Sequence, residues 1–278
     1  MIEPALAKMC GREIRELCRS GRFHRPTTGV ALGFSQVNLV ILRAEDAKEF
    51  EAFCRANPKP CPLLEITSPG DYEARQMALG SDVRTDLPRY RVLRNGECED
   101  RPTSIAAYWP DVAQSSVSDF VAFLIGCSFT FETALLKAGV PVRHIEEGKN
   151  VPMYRTDRAC TPAGRFHGPI VVSMRPMTPE NAELATRITA SFPRVHGAPV
   201  HFGNPGAIGI ADVNRPDYGD PVSIHSDELP VFWACGVTPM EAILRAKLNI
   251  AIVHEPGHML VTDVSDESLR DEPLGGAA

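Results

Sequence analysis

The stretch DFVAFLIGCSFTFETALLKAGVPVRHIEEGKNVPMYRTDRACTPAGRFHGPIVVSMRP, residues 119–176, decides how this chain is built. Its first half is apolar, and Glu132 is the first charge after Asp119. Its second half crowds Arg143, His144, Tyr154, Arg155, Arg165, His167 and Arg175 among glycines and prolines. On a helix, Phe120, Phe123, Cys127 and Phe131 fall near one face. The expectation is therefore one buried helix over Ser118–Ala138, capped by Ser118 and stopped by Gly139 and Pro141. VRHIE (142–146) and PIVVSMR (169–175) follow as strands. Ser128 and Glu132, four apart, can share a polar face. A glutamate after so apolar a run needs solvent or a partner; with a raised pKa it would suit a general acid or base.

Outward from this stretch the pattern alternates. Residues 4–19 have helical spacing, QVNLVIL (36–42) is a buried strand, and Ala44–Arg55 is a helix with Phe50 and Phe53 on its apolar side. Leu63–Ile66 is a short strand, and RYRVLRNGE (89–97) is a strand running into an Asn-Gly turn. Thr178-Pro179-Glu180 opens a helix with a cap, a first-turn proline and an acid at the positive end of the dipole. AIGIAD (207–212) and PVSIH (221–225) have the look of strands. VFWAC (231–235), a helix from Thr238-Pro239, NIAIVH (249–254) and HMLVTD (258–263) complete the chain.

This alternation predicts an α/β protein. A larger three-layer α/β domain is expected from 1–149 plus 229–278, with a smaller two-layer α+β sandwich from 150–228. A length of 278 residues accommodates both. The net charge of −6 argues against a general nucleic-acid or anionic-membrane surface. No apolar run reaches the roughly 18 residues of a membrane helix, and the N-terminus lacks a secretory pattern. A cytoplasmic location is expected, with the oligomeric state left open, a homo-oligomer included. The eight cysteines are scattered without a C-x-x-C pair and are expected as reduced thiols.

Three places attract chemistry. In VFWACGVTP, Cys235 ends a strand just before a helix, where free N–H groups and the dipole would lower a thiol pKa and could hold an anion. The arginines of MYRT, GRFHG and SMRP suit two-pronged capture of a carboxylate. HEPGH (254–258) matches the string of zinc proteases, but Pro256-Gly257 forms a turn after a strand, so the two histidines cannot share a helix face. No metal site is expected. Phosphate-binding glycine signatures and a G-x-S-x-G elbow are absent, so no cofactor is expected either.

NPKPCPLLE, RTDLPRYRV, VAFLIGCSF, GVPVRHIEEGKNVPMYRT, AGRFHGPIVVSMRP, HGAPVH, IGIAD, VFWACGVTP and PGHM together resemble the D-glutamate cyclase family, in particular its bacterial hydro-lyase group typified by YcsI. The resemblance runs over roughly residues 30–263. The spacer SIAAYWPDVAQSSVSDF and Glu255 depart from the family pattern. What the resemblance implies is a larger three-layer and a smaller two-layer domain, and reversible dehydration of D-glutamate to 5-oxo-D-proline without a metal or organic cofactor. A small carboxylate or amino acid is the expected partner. In that chemistry Arg175 or Arg155 would clamp the α-carboxylate, and Glu132 or His258 would move protons. The N–H groups of Gly236 and Val237 would hold the oxyanion, and Tyr154 and His167 would orient the substrate. Competing expectations are a lyase acting on another small hydroxy or amino acid, a racemase using Cys127 and Cys235, and a non-catalytic carboxylate-binding sensor.

Overall fold

The computed structural model describes residues 4–109 and 119–271. Two short helices, α1 (Pro4–Lys8) and α2 (Gly11–Arg19), stand where one helix over 4–19 was expected. The core strand β1 (Phe34–Arg43) follows, then α3 (Ala44–Ala56), β2 (Leu63–Ile66) and the hairpin β3 (Tyr90–Arg94)–β4 (Glu97–Asp100). Asn95 and Gly96 both take positive φ in its turn, 50° and 84°, as a tight hairpin demands. β5 (Phe120–Gly126), α4 (Phe129–Lys137) and α5 (Arg143–Glu147) lead to β6 (Met153–Ala159), β7 (Pro169–Met177) and α6 (Pro179–Ala190). Thr178 caps α6 by accepting the Asn181 N–H. The chain closes with β8 (His201–Phe202), β9 (Leu229–Ala234), α7 (Thr238–Ala246), β10 (Ala251–His254) and β11 (Leu260–Ser265). Among the described residues no helix is long and apolar enough to cross a membrane.

The architecture is mixed α/β, built on two sheets. The seven-stranded sheet has the order β2-β5-β1-β10-β3-β4, with β11 also on β1. The four-stranded sheet has the order β6-β7-β9-β8. Among the described residues every strand pairing is antiparallel. β1 is buried along nearly its whole length. Its odd residues Val37, Leu39 and Ile41 pack with Phe131, Leu135, Ala182 and Ala185 of α4 and α6. Its even residues Val40 and Leu42 pack with Phe50 and Phe53 of α3 and Ala242 and Ile243 of α7. Strand alternation thus gives the larger sheet a helical layer on each face.

Four expectations are corrected. Phe120–Gly126 is a strand, so Ser118–Ala138 is not one helix; Ser118 itself lies outside the described residues. A short, fully apolar run carries no periodicity that separates a buried strand from a buried helix. Here β1 and β2 flank it on both edges. VRHIE forms α5, stopped by Gly148 in the left-handed region at φ 65°. AIGIAD and PVSIH are not strands: Pro205–Ile208 is a 3-10 turn, and the buried Ile208, Ile210 and Val222 imitate strand alternation. Finally β9, assigned by the boundary at residue 229 to the larger unit, hydrogen-bonds with β7 and β8 in the smaller sheet. On its inner face Val231 and Trp233 join the core of the larger sheet.

Asp266, just after β11, is 3% exposed, and its contacts with the Thr133 hydroxyl and the Gly33 backbone do not make up for the lost solvent. Burial pushes its pKa up to about 7, against 3.8 for the ordinary group. A raised carboxyl pKa leaves full stability below the unfolded value and withdraws it as pH rises through the folded one. The span of about three units corresponds to roughly 4 kcal/mol lost between pH 4 and pH 7. Asp266→Asn is expected to flatten this dependence and stabilise the protein at pH 8, as checked by urea unfolding at pH 4.5 and 8.

Candidate active site

Two polar regions emerge where the sheets meet, one sealed and one open. The sealed one is centred on Arg175 of β7, which is fully buried. Ser173 and Arg175, two apart on a strand, face the same way, toward the start of α4. The Arg175 Nε donates to Glu132 Oε1 at 3.0 Å, Nη1 donates to Ser173 Oγ at 3.2 Å, and Nη2 donates to Ser128 Oγ at 3.1 Å and also to Glu132. The rings of Phe131 and Trp233 each stand 5.3 Å from the guanidinium carbon. His144 Nε2 lies 3.0 Å from Glu132 Oε1.

Burial alone would raise the Glu132 carboxyl, but His144 and Arg175 outweigh it and hold the pKa below its ordinary value. The expected raised pKa is therefore corrected: Glu132 is a charged anchor. Ser128 and Glu132 do share a polar partner, and that partner is Arg175. The predicted substrate clamp is thus engaged by protein on three sides, and a bound carboxylate would have to compete with Glu132.

The β9–α7 turn adjoins this centre. Cys235 is buried, and burial pushes its thiol up to about 11, outweighing the Val237 N–H directed at the sulfur and the charge of Arg175. The expectation of a lowered pKa fails because removing the thiolate from water costs more than one donor returns. Cys127 repeats the arrangement: it accepts the Phe129 N–H at 3.5 Å, and burial raises its pKa further still. Of the two expected oxyanion donors, Val237 N–H serves the Cys235 sulfur, and Gly236 is covered by Asn38. A Cβ on Gly236 would fall 1.9 Å from Asn38 Nδ2.

β6 separates the other predicted residues by its alternation. Tyr154 is buried, and its hydroxyl donates to the Val213 carbonyl at 2.6 Å. Arg155 faces outward and binds Asp217 Oδ1 at 2.6 Å, Glu241 Oε1 at 2.8 Å and the Tyr218 hydroxyl at 2.7 Å. Arg155 and the exposed His167 line one open groove of about 490 Å³ with Asp157, Cys160 and Arg245. Arg165 pairs with Asp46 and Glu49 on α3.

The open region lies beside the turn after β10. A cavity of about 320 Å³ is lined by Arg25, Pro26, Thr28, Lys149, Asn150 and Asp220, among others. Such a volume is at the small end of the range for small-molecule sites. The Thr28 hydroxyl and the Asn150 side-chain carbonyl are both buried without a hydrogen-bond partner. The Pro256-Gly257 turn forms its support. Thr27 N–H donates to Gly257 O at 2.8 Å, Met259 N–H donates to Thr27 Oγ1 at 3.1 Å, and Asn150 Nδ2 donates to Pro256 O at 3.2 Å. Gly257, at φ +82°, is required here: a Cβ would fall 2.4 Å from the Asn150 amide.

His258 closes this turn. Its Nδ1 lies 3.1 Å from Pro256 O. A carbonyl only accepts, so the proton sits on Nδ1 and Nε2 keeps a basic lone pair. Burial lowers the His258 pKa below the ordinary histidine value, so the ring is neutral at pH 7. His254, at the other end of HEPGH, is buried with Nδ1 against the Leu39 backbone, and Glu255 is paired with Arg91. The zinc-like string is thus divided between a strand end and a turn.

Residues 121–263 match the family model for D-glutamate cyclase. The chain belongs to the D-glutamate cyclase family. It is 54% identical over 256 residues to the "Putative hydro-lyase" of Stutzerimonas stutzeri (strain A1501), covering 92% of this chain and 94% of that one. It is 52% identical over 263 residues to "Putative hydro-lyase GK2103" of Geobacillus kaustophilus (strain HTA426), covering 95% and 97%. It is 50% identical over 261 residues to "Putative hydro-lyase YcsI" of Bacillus subtilis (strain 168), covering 94% and 99%. In this member of the D-glutamate cyclase family, the cavity residues Arg25, Thr28, Lys149, Asn150 and Asp220 carry no signal in the sequence that singles them out. Nothing in the loop PTTG (26–29) announces that Thr28 and Asn150 line one cavity.

Because Arg175 and Glu132 are both buried, removing one leaves the other charge unpaired. Arg175→Met or Glu132→Gln alone is expected to cost about 3–5 kcal/mol in urea unfolding. The double variant Arg175→Met/Glu132→Leu is expected to recover much of that loss, a coupling that a double-mutant cycle measures.

Proposed function

We propose that the protein is a hydro-lyase that interconverts D-glutamate and 5-oxo-D-proline, and that it does so in the cavity beside the Pro256-Gly257 turn. The family and the shared name of its relatives place the chain among the carbon–oxygen lyases. The observation that carries the choice of site is the lining of the 320 Å³ cavity: two cations, one carboxylate and two buried polar groups without partners. That set complements an amino dicarboxylate, a molecule with two negative groups and one positive.

Cyclisation joins the substrate nitrogen to its side-chain carboxyl carbon and releases one carboxyl oxygen as water. The ammonium gives up two protons and the departing oxygen takes two, so the step balances without oxidant or reductant. Arg25 and Lys149 would hold the carboxylates. Lys149 already donates to Pro221 O at 2.8 Å and pairs with Glu147 at 2.7 Å, which fixes its ammonium and leaves a third N–H. The Thr28 hydroxyl would donate to the developing oxyanion, where a preset donor in a water-poor site acts most strongly. His258 would carry the two protons in turn from the nitrogen to the leaving oxygen. Its link to the cavity is the Pro256 carbonyl, which also accepts from Asn150. On this reading Glu132, Arg175 and Cys235 hold the seam behind the site, and Arg155, Tyr154 and His167 lie outside it.

Purified protein incubated with D-glutamate, 5-oxo-D-proline and their L-forms is expected to change the mass of the D-pair by one water. Thr28→Val is expected to lower kcat/KM about 10- to 100-fold with an unchanged melting temperature. His258→Ala is expected to lower it at least about 100-fold. A base must be neutral to act, so the acid limb of the pH profile should fall below the ordinary histidine value and vanish in His258→Ala. Activity retained by both variants would refute this site, and binding of D-glutamate without turnover would leave a carboxylate sensor.

A further inference from the structure

We infer that Asn150 and Asp220 form a cation subsite that selects the open-chain ammonium form of the substrate over the lactam. The inference rests on the cavity reading above and assigns its specificity. Asn150 Nδ2 donates to the Pro256 carbonyl, which orients the amide and leaves Oδ1 as the buried acceptor without a partner. Asp220 is pinned to the same residue from both directions. Its Oδ2 accepts the Asn150 N–H at 2.9 Å, and its own N–H donates to Asn150 O at 3.2 Å.

The strap that carries Asp220 has little freedom. Met153 and Tyr218 exchange backbone hydrogen bonds of 2.9 and 3.1 Å. Gly219, at φ +75°, lies so close to Val151 that a Cβ would fall 1.9 Å from its carbonyl oxygen. Asp220 lines the cavity together with Arg25, Thr28, Lys149 and Asn150, and only its Oδ2 is engaged by the Asn150 N–H. Acceptors thus gather at the Asn150–Asp220 side of a space whose other charged lining is cationic.

An ammonium fits two such acceptors and gains charge-assisted hydrogen bonds. A lactam N–H is neutral and offers one donor. The subsite therefore favours the amino acid and leaves the cyclised product weakly held, which biases release toward 5-oxoproline. The reaction that supplies this substrate must deliver a free α-amino dicarboxylate, and the one that consumes its product must accept a lactam acid.

Calorimetric titration of wild type and Asp220→Asn with D-glutamate, glutarate and 5-oxo-D-proline tests this. Glutarate is the same diacid without the ammonium. Asp220→Asn is expected to raise the D-glutamate Kd about tenfold or more, the loss of one charged hydrogen bond. Glutarate and the lactam should change less than about twofold. An unchanged D-glutamate Kd would overturn the inference, as would parallel weakening of all three, since that marks a residue that only steadies Asn150. If wild type binds none of the three, the cavity reading falls and this inference with it. If glutarate binds as tightly as D-glutamate, the cavity stands and the cation subsite alone is refuted.

Discussion

The guanidinium of Arg175 is the constraint around which the rest is arranged. A full charge lies on the inner face of the smaller sheet, and it is tolerable there only because Glu132, Ser128 and Ser173 meet its N–H groups. Those partners come from two elements. Ser173 is on β7 itself, whereas Ser128 and Glu132 begin α4, which packs on the larger sheet. The pair therefore sets where α4 must start, and so where β5 must stop. Gly126 makes that stop possible: a side chain there would fall 2.2 Å from the Arg194 carbonyl.

The same seam is built twice. β5 ends in Gly126-Cys127 and opens α4; β9 ends in Ala234-Cys235 and opens α7. In both turns the thiol receives the N–H two residues on, and Thr130 or Thr238 donates its N–H to the cysteine carbonyl. The two cysteines behave as small buried apolar residues that also satisfy a helix-end donor. Their raised pKa values follow from that role. Each helix then places a glutamate against an arginine of the smaller sheet, Glu132 on Arg175 and Glu241 on Arg155. Paired turns with paired ion bridges tie one sheet to the other.

Much of this was legible in the sequence, and the failures have definite causes. β1, β3, β7, β9, β10 and β11 were found because apolar runs bounded by turn residues leave few alternatives. α6 was found because its cap, proline and acid agree. β5 was mistaken for helix because Phe120, Phe123, Cys127 and Phe131 satisfy a helical spacing by coincidence within an unbroken apolar run. The placing of β9 with the larger unit differs from its pairing for another reason: local pattern shows that a strand exists, not which sheet will pair with it. At the seam between the sheets, residue type was informative and environment was not. Glu132 was rightly singled out as a buried carboxylate needing a partner, but the sign of its pKa shift depends on Arg175 and His144, far away in the chain. Thr28, Asn150 and Asp220 carry no motif at all; only the fold brings residues 28, 150 and 220 to one wall.

A charge satisfied by its own protein is poorly placed to bind anything else. Moving Arg175 onto a substrate would strand Glu132 in the interior, and the cost of an uncompensated buried carboxylate exceeds what one new ion pair returns. The cavity beside Gly257 has the opposite balance. Thr28 and Asn150 are desolvated already, so a ligand that supplies their missing partners removes a penalty the folded chain carries without it. His258 is neutral for the same reason that Cys235 is, burial; neutrality disables a thiol as a nucleophile, whereas the base role proposed for His258 requires it. One physical effect, loss of solvent at the seam, thus keeps the thiol protonated on its closed side and the imidazole neutral on its open side.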